Sequence, residues 1–146
     1  MIALSHEAID PAALLADFTR GAPGAGGIVS FSGIVRPANG VTGLWLDHHE
    51  RLTLAAVAAL EHDALGRFDL VDLIIVHRVG SVLAHEPIVF VAAGATHRRA
   101  AFDAVDFVLD RLKTDIPLWK CETRADGKSW VEARPQDHAD AERWAS

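Results

Sequence analysis

Apolar residues recur at helical spacing in three stretches of the chain, and the clearest of these covers residues 97–112. Its apolar side is formed by Phe102, Val105, Leu109 and Leu112. Residues three or four positions apart lie on one face of a helix, so this spacing predicts an amphipathic helix. Thr96, directly before it, is of a type that caps helix N-termini. We therefore expect helix 97–112 to begin after a Thr96 cap.

Two further helices are predicted upstream. Residues 10–20 begin with Asp10, a good N-cap, followed by Pro11, which suits the first helical position. Residues 51–66 carry a second apolar stripe. That stripe consists of Leu54, Val57, Leu60 and Ala64. The spacing predicts that this helix packs on the core through one face.

Six strands are predicted between and after the helices. Residues 27–36 alternate between two faces, whereas 69–80 and 87–95 are nearly continuous apolar runs, typical of strands covered on both faces. The six strands cover residues 27–36, 41–50, 69–80, 87–95, 117–122 and 128–133. The turn "PANG" separates the first two, which predicts an antiparallel hairpin or a wider loop, and "ADG" pairs the last two. After them we expect a short polar tail with Trp144.

The order of these elements predicts an α+β fold. From residue 41 to residue 122 it is strand, helix, strand, strand, helix, strand, which is the split βαβ pattern. The two helices of such a unit lie on one face of a mixed or antiparallel sheet. Since the length suits one core and the sequence shows neither repeats nor linkers, we expect a single domain over residues 1–146.

Composition narrows the class of protein. Half of the 146 residues are hydrophobic, which argues against disorder, and no apolar run reaches the roughly 18 residues of a membrane span. The N-terminus lacks a signal-peptide pattern and Cys121 is the single cysteine, so we expect a cytoplasmic protein. The net charge of −6 argues against general binding to nucleic acids or membranes.

Familiar catalytic and metal-binding motifs are absent from the sequence. His48 and His49 are adjacent, so on a strand they point to opposite faces, and no H-x-H, H-E-x-x-H or C-x-x-C pattern occurs. A Walker-type phosphate loop and a G-x-S-x-G nucleophile elbow are missing too. We therefore expect no metal site and no bound cofactor, and we interpret Cys121 as a small buried hydrophobe.

One group of cations has an unusual position for an acidic chain. His97, Arg98 and Arg99 occupy the first turn of helix 97–112, where cations oppose the helix dipole at a cost of a few tenths to about 1 kcal/mol each. An anion bound by these side chains and by free backbone N–H groups explains them. Ion pairs with surface carboxylates explain them equally well, so both interpretations stay open.

Four further cations are candidate site residues: Lys113, Lys120, Arg36 and Arg134. Alternation in the strand 117–122 gives Lys120 one of two faces. If that face lines a cleft, the ammonium can bind an anion or acquire a lowered pKa for acid–base or nucleophilic chemistry; if it is solvated, Lys120 is an ordinary surface residue. Lys113 complements the helix dipole near the helix end. Arg36 and Arg134 can reach an anion or remain solvated.

The motifs around these cations resemble those of one protein family. In chain order they are "FSGIVR", "IIVHRVG", "THRRAAFDAVDFVLDRLKTDIPLWKCE" and "WVEAR". Together they are similar to the large, catalytic subunit of molybdopterin synthase, from about residue 27 to the end of the chain. The most specific part joins a His-Arg pair at a helix start to "LKT", a proline and "WKCE". The last of these stands where the family usually has tryptophan-lysine-any-glutamate.

The resemblance implies a sulfur-transfer reaction and a set of partners. Family enzymes convert cyclic pyranopterin monophosphate into molybdopterin by installing two dithiolene sulfurs. The sulfur arrives as a thiocarboxylate on the C-terminal Gly-Gly tail of a small ubiquitin-like subunit, which inserts into a pocket of the large subunit. Two large subunits form a homodimer with a small subunit at each end, giving a heterotetramer. The family fold is α+β with a hammerhead-like β subdomain.

The resemblance also implies roles for the cations. Lys113 and Lys120 correspond to the family's two catalytic lysines. The positions that correspond to its substrate-binding residues are Arg36, His97, Arg98 and Arg134. We expect Lys113 to act on the tail terminus and in acid–base steps, and Lys120 to act on substrate charge and proton transfer.

Two departures from the family concern the pocket wall. The family often has a tyrosine in the segment that matches "LDHHERL"; this chain has no tyrosine, and His49 lies near that position. The residue after the second lysine is often arginine in the family and is Cys121 here. Neither position is one of the mapped catalytic residues. The alternative function is a non-catalytic module whose cationic groove only binds the C-terminal tail of a ubiquitin-like partner.

Overall fold

The computed structural model describes residues 1–145 and divides them between two β-sheets and four α-helices. The strands are β1 (Ile2–Ser5), β2 (Gly27–Ile34), β3 (Val41–His48), β4 (Asp72–Arg78), β5 (Gly80–Leu83), β6 (Pro87–Ala95), β7 (Leu118–Arg124) and β8 (Gly127–Val131). The helices are α1 (Pro11–Gly21), α2 (Glu50–Arg67), α3 (Arg98–Thr114) and α4 (Pro135–Glu142). The arrangement confirms the predicted α+β class. None of the helices within the described part of the chain is long and apolar enough to cross a membrane.

The first sheet forms the hydrophobic centre of the molecule. Its strand order is β1-β4-β6-β2, with β1 parallel to β4 and the other neighbours antiparallel. α2 and α3 cover one face, and α1 covers the other. Both faces of β4 and β6 are therefore buried, as their continuous apolar runs predict.

Two clusters of side chains fill the space on either side of that sheet. On the side of α2 and α3 the fully buried residues include Val57, Ile75, Val91, Phe107 and Val108. On the side of α1 the cluster consists of Phe18, Ile74, Val76, Phe90 and Ala92. Successive residues alternate between the two clusters from Leu73 to Val76 in β4 and from Val89 to Ala93 in β6.

The N-terminal segment matches the sequence prediction in part. Asp10 caps α1, because its Oδ1 accepts hydrogen bonds from the backbone N–H groups of Ala12 and Ala13 at 3.1 and 3.2 Å. β1 is not predicted by the sequence pattern, although it pairs in parallel with β4. Its four residues are too few to show a period.

α3 begins later than predicted. Pairing between β2 and β6 extends to Ala95, and α3 starts at Arg98 with His97 as an N-cap that makes no side-chain capping bond. The prediction of a Thr96 cap is therefore wrong. The buried side chains of α3 are Ala101, Ala104, Val105, Phe107, Val108 and Leu112. Phe102, which the periodicity assigns to that face, is 52% exposed because small alanines face the sheet instead.

The second sheet is antiparallel throughout, with the order β5-β3-β7-β8, and corrects three predictions. The strand predicted over residues 69–80 is divided, because Gly80, with a φ of 77°, turns the chain out of β4 and into β5. β2 and β3 lie in different sheets, so they do not form a hairpin. The predicted split βαβ unit is divided in the same way, since β4 and β6 belong to the first sheet and β3 and β7 to the second.

One face of the second sheet is exposed and aromatic. Trp45, Cys121 and Trp130 are direct neighbours across β3, β7 and β8, and Trp119 lies two positions before Cys121 on the same face. Trp45, Trp119 and Trp130 are 46%, 52% and 64% exposed, whereas Cys121 between them is buried. The interpretation of Cys121 as a small buried hydrophobe is confirmed.

The C-terminal segment contains a helix rather than only the predicted polar tail. α4 packs against α3, and Arg143 Nη2 and Trp144 Nε1 both donate to Asp110 Oδ2, at 2.8 and 2.7 Å. The Trp144 ring meets Phe68 and Phe107 edge-on, with centroids 6.0 and 5.5 Å apart. The sequence pattern does not reveal α4 because one aromatic ring and a few charges, rather than an apolar stripe, hold it in place.

Candidate active site

Four of the predicted cations meet at one pocket of about 440 Å³, which we call the lysine pocket. They are Arg36, Lys113, Lys120 and Arg134. They come from the segment after β2, the end of α3, the middle of β7 and the segment after β8. Much of the remaining wall is apolar and includes Val35, Leu44, Ile88, Leu118 and Val131. Such a cavity suits a ligand that combines anionic groups with an extended or flat apolar part.

Lys120 enters the lysine pocket from the middle of β7. The strand lies between β3 and β8, and alternation places Lys120 on the same face as Leu118, which also lines the pocket. Burial lowers the pKa of the Lys120 ammonium, the charge of Lys113 lowers that pKa further, and Asp137 raises it in part. The structure thus favours the cleft interpretation of Lys120 over the solvated one.

Lys113 reaches the same pocket from the last turn of α3. Its side chain is 49% exposed, and Nζ donates to Asp137 Oδ1 at 3.3 Å. The helix dipole favours a cation at this end of a helix. Lys113 and Lys120 therefore approach one cavity from a helix end and from a strand face.

Asp137 is a candidate site residue that the sequence pattern did not indicate. It is buried, and its Oδ1 accepts a hydrogen bond from Arg134 Nη2 at 2.8 Å in addition to that from Lys113. Its Oδ2 accepts from the Arg134 Nε and backbone N at 3.2 and 2.9 Å. The hydrogen bond from the Arg134 side chain, helped by Lys113, holds the pKa of Asp137 well below its usual range, although burial opposes this. The available signal was "RPQD", since proline followed by an acidic residue is typical of a helix start.

Arg36 follows the end of β2 and is positioned through its neighbours. Val35 N donates to the Glu86 carbonyl at 3.0 Å, and His85 N donates to the Val35 carbonyl at 2.7 Å. The Glu86 side chain in turn accepts a hydrogen bond from the buried guanidinium of Arg78 at 3.0 Å. These bonds fix the backbone from which Arg36 reaches the lysine pocket.

His97 and Arg98 lie in a second pocket of about 430 Å³, which we call the helix pocket, at the other end of α3. The rest of its lining is Gly26, Thr96 and Arg99. Within residues 1–145 neither Arg98 nor Arg99 forms an ion pair, so surface carboxylates do not explain these cations. A helix rises about 1.5 Å per residue, which places Arg98 and Lys113 about 22 Å apart along its axis. One copy of the chain does not bring His97 and Arg98 to the lysine pocket.

The charge of the lysine pocket also affects the pKa of a buried histidine on β4. His77 is 5% exposed, and its Nδ1 lies 2.7 Å from the Arg78 carbonyl, to which the neutral ring can donate. Burial lowers the pKa of His77 to about 4; the bond to the Arg78 carbonyl raises it in part, and the charge of Lys120 lowers it. His77 is therefore neutral at physiological pH.

His49 and Cys121, at which the sequence departs from the family, lie away from the lysine pocket, and so does His48. Within the described residues no group of three or more His, Cys, Asp or Glu side chains is placed to hold a metal ion. His48 rests against His6, with ring centroids 5.6 Å apart. His49 caps α2, because its Nδ1 accepts from Leu52 N at 3.4 Å. Neither His49 nor Cys121 lines the lysine pocket.

The fold and the lysine pocket define a single-domain α+β protein whose site suits anionic ligands. The family model described as MoaE protein matches residues 4–115, and the chain belongs to this family. The match confirms the resemblance found in the sequence motifs. It includes Lys113 but stops before β7, so Lys120, Arg134 and Asp137 lie beyond the matched residues.

Known relatives match nearly the whole chain. A molybdopterin synthase catalytic subunit from Pseudomonas aeruginosa PAO1 is 42% identical over 146 residues, covering 98% of this chain and 97% of that protein. The molybdopterin biosynthesis MoaE protein from Burkholderia ambifaria MC40-6 has a TM-score of 0.85 at 38% identity, covering 100% and 98% of the two chains. A protein–protein complex of subunits 1 and 2 of molybdopterin-converting factor from Helicobacter pylori 26695 has a TM-score of 0.80 at 22% identity, over 91% of each chain. That last likeness concerns the fold alone.

Proposed function

We propose that this chain is the catalytic subunit of a molybdopterin synthase, a sulfurtransferase of molybdenum cofactor biosynthesis acting in the cytoplasm. In this proposal it transfers sulfur from the thiocarboxylated Gly-Gly tail of a ubiquitin-like small subunit to cyclic pyranopterin monophosphate. The observation that carries the proposal is the convergence of Lys113 and Lys120 on one cavity. Membership of the MoaE family and 42% identity to a molybdopterin synthase catalytic subunit support it.

The charges of the lysine pocket match those of the proposed reactants. The tail ends in a thiocarboxylate anion and the substrate carries a phosphate, so both need cations, and the pocket wall offers four. In each transfer the thiocarboxylate sulfur bonds to a substrate carbon while a carbon–oxygen bond of that carbon breaks and its oxygen leaves. Water then cleaves the resulting thioester, which leaves the sulfur on the substrate and returns the tail as a carboxylate. Negative charge develops on the acyl oxygen during that cleavage, and a nearby ammonium stabilises it.

The two lysines suit different steps of this reaction. Lys113 is ion-paired with Asp137, so we assign to it the anionic end of the tail and the charge that develops as the acyl group leaves. Lys120 has a lowered pKa and exchanges protons more readily than an ordinary lysine, so we assign to it proton transfer on the substrate. Arg36 and Arg134 then bind anionic groups of the substrate.

We further propose a homodimer, because a second copy can bring the helix pocket to the lysine pocket. β2 is an edge strand of the first sheet, and its Phe31 and Ile34 are 43% and 47% exposed. Arg98 lies beside Gly27 at one end of β2, and Arg36 follows the other end. Antiparallel pairing of β2 with β2 of a second copy, centred on the strand, places each Arg98 near the other copy's Arg36. One small subunit at each end completes a heterotetramer.

Reconstitution tests the proposed reaction. The purified chain is mixed with a thiocarboxylated small subunit and cyclic pyranopterin monophosphate, dithiolene formation is followed, and binding of the two subunits is measured in parallel. We expect product with the thiocarboxylate and none when the tail ends in an ordinary carboxylate. Binding of the tail without any product contradicts the proposal and favours the non-catalytic binding module.

A further inference from the structure

A buried carboxylate is unexpected in a pocket that suits anionic ligands. Asp137 is 7% exposed and lines the lysine pocket among its cations. Burying a carboxylate without partners is costly, and the hydrogen bonds that surround it remove that cost. They do not explain why a negative charge stands there. The explanation must lie in its effect on the neighbouring cations.

We propose that Asp137 is a positioning residue of the lysine pocket: its carboxylate holds Lys113 and Arg134 together and offsets part of the positive charge around Lys120. The effect on these side chains follows from the geometry alone. The effect on turnover rests on the proposed function.

The hydrogen bonds of Asp137 exceed what a helix cap needs. The bond from the Arg134 backbone N–H to Oδ2, at 2.9 Å, is enough to cap α4. Oδ1 instead accepts from Arg134 Nη2 at 2.8 Å and from Lys113 Nζ at 3.3 Å. Two cations that donate to one oxygen atom lie no farther apart than the sum of these distances. The carboxylate therefore ties the end of α3 to the start of α4.

The charge of Asp137 matters because it acts on Lys120 in the direction opposite to the charge of Lys113. The charged or titratable side chains around it are Lys113 on α3, Asp137 on α4, Arg36 after β2, Glu122 on β7, Glu132 and Arg134 after β8, and His77 on β4. Glu122 is already ion-paired with Arg124. Asp137 raises the pKa of Lys120 against the effects of burial and Lys113. Loss of its charge must lower that pKa further.

The rest of the fold holds Asp137 where it acts. Arg143 and Trp144, just after α4, both donate to Asp110 of α3. The wall that runs from Arg134 to Asp137 is thereby pinned to the same helix that ends in Lys113. Such support keeps the pocket in one geometry before any ligand enters.

Lysine titrations test the positioning role without any sulfur chemistry. The chain has only three lysines, at positions 113, 120 and 128, so reductive ¹³C-methylation gives a small set of NMR signals with exposed Lys128 as the reference. In Asp137→Asn we expect the Lys120 titration midpoint to move to lower pH and the Lys113 signal to change its chemical shift. An unchanged Lys120 midpoint overturns the electrostatic part of the proposal.

Turnover tests the consequence for catalysis. In Asp137→Asn, kcat/KM should fall roughly ten- to a hundredfold, as expected for loss of hydrogen bonds between charged groups, and its pH profile should move to lower pH together with Lys120. Asp137→Glu keeps the charge but displaces it by one methylene, so we expect a nearly native Lys120 midpoint with reduced kcat/KM. Asp140→Asn, one turn further along α4, is the matched control and should change neither readout.

The outcomes separate this inference from the proposed function. If the native chain shows no sulfur transfer but Asp137→Asn moves the Lys120 midpoint, the positioning role stands and the proposed function fails. If Asp137→Asn loses activity only in proportion to its loss of folded protein, with an unmoved pH profile, Asp137 is a helix cap and the inference is overturned. If Asp137→Asn does not fold, native kcat/KM in Asp137→Glu overturns it.

Discussion

The two ends of α3 both carry cations, but the fold surrounds them differently. At the C-terminal end, Lys113 belongs to the lysine pocket, which has apolar walls and a buried carboxylate. At the N-terminal end, His97, Arg98 and Arg99 are exposed around a much smaller set of lining residues. Walls orient a ligand, whereas exposed charge mainly attracts it. Under the proposed function, the lysine pocket supplies the chemistry and the helix pocket supplies affinity for the substrate's anionic group.

The largest effect is expected in the lysine pocket. Lys113→Ala removes the ammonium that we assign to the acyl group, so turnover should fall roughly a hundredfold or more. Arg134 still pairs with Asp137, so the variant should unfold near the native temperature. The reconstituted reaction and a thermal melt measure both effects, with Lys128→Ala, at an exposed lysine of β8, as the matched control. Normal turnover in Lys113→Ala contradicts the catalytic assignment.

In the proposed homodimer, we expect Arg98 of one copy to bind substrate at the lysine pocket of the other copy. Mixed dimers test this expectation. Arg98→Ala alone should weaken substrate binding about ten- to a hundredfold. A dimer of one Lys113→Ala chain and one Arg98→Ala chain then keeps one intact site of two. Half of the dimers are mixed when the variants are co-expressed equally, so about a quarter of native activity should return at low substrate concentration. No recovery means that both residues serve a site within one chain.

The burial of His77, which lies near Lys120, also predicts how the stability of the fold depends on pH. His77 has a pKa of about 4 in the folded chain against an ordinary value of 6.5, so the unfolded chain takes up this proton first as the pH falls. The resulting stability is fully present above pH 6.5 and is lost as the pH falls from there toward about 4. Between pH 7.5 and pH 5 the unfolding free energy should drop by about 2 kcal/mol. Urea unfolding measures the slope; His77→Gln should flatten it, and an equally steep slope in that variant contradicts the prediction.

The smallest effect is expected from Thr53, which supports β7 from outside the lysine pocket. Thr53 is fully buried, and its Oγ1 donates to the Pro117 carbonyl at 2.9 Å, just before the strand that carries Lys120. Thr53→Val keeps the shape and removes the bond, so the unfolding free energy should fall by about 1–2 kcal/mol and turnover by less than about tenfold. Thr19→Val removes an exposed hydroxyl that bonds within α1 and is the control. A native denaturation midpoint in Thr53→Val means that the sheet alone holds β7.

The fold was predictable where one residue pattern dominates a whole element. β6 has a continuous apolar run because both of its faces are buried, and α1 has a recognisable start at Asp10 and Pro11. Prediction failed where a single residue redirects the chain. Gly80 carries the chain from one sheet to the other, yet the apolar character of the sequence does not change there. Strand pairing between sheets depends on such turns and not on periodicity.

The site was predictable in the same uneven way. Alternation in the strand 117–122 predicted which face carries Lys120, but it did not predict what covers that face. The sequence therefore left two alternatives for Lys120, a cleft and a solvated surface. Asp137 escaped notice because a buried carboxylate has no periodic signal and Lys113, its partner, is 24 residues away. The distance between Arg98 and Lys113 follows from the length of α3. In the proposed homodimer, which copy completes a site depends on β2 pairing between two chains, and the pattern of one sequence does not predict such pairing.

The aromatic face of the second sheet gives the protein an internal optical probe. Three of the four tryptophans, Trp45, Trp119 and Trp130, are about half exposed on the face opposite the lysine pocket, and the chain has no tyrosine. We therefore expect these partly hydrated indoles to dominate its intrinsic fluorescence, and Trp144, packed against the core, to emit at shorter wavelength. A macromolecule that covers this face removes water from three indoles and shifts the emission to the blue. A small ligand in the cavity leaves the spectrum nearly unchanged, so one measurement distinguishes docking on the sheet from entry into the pocket.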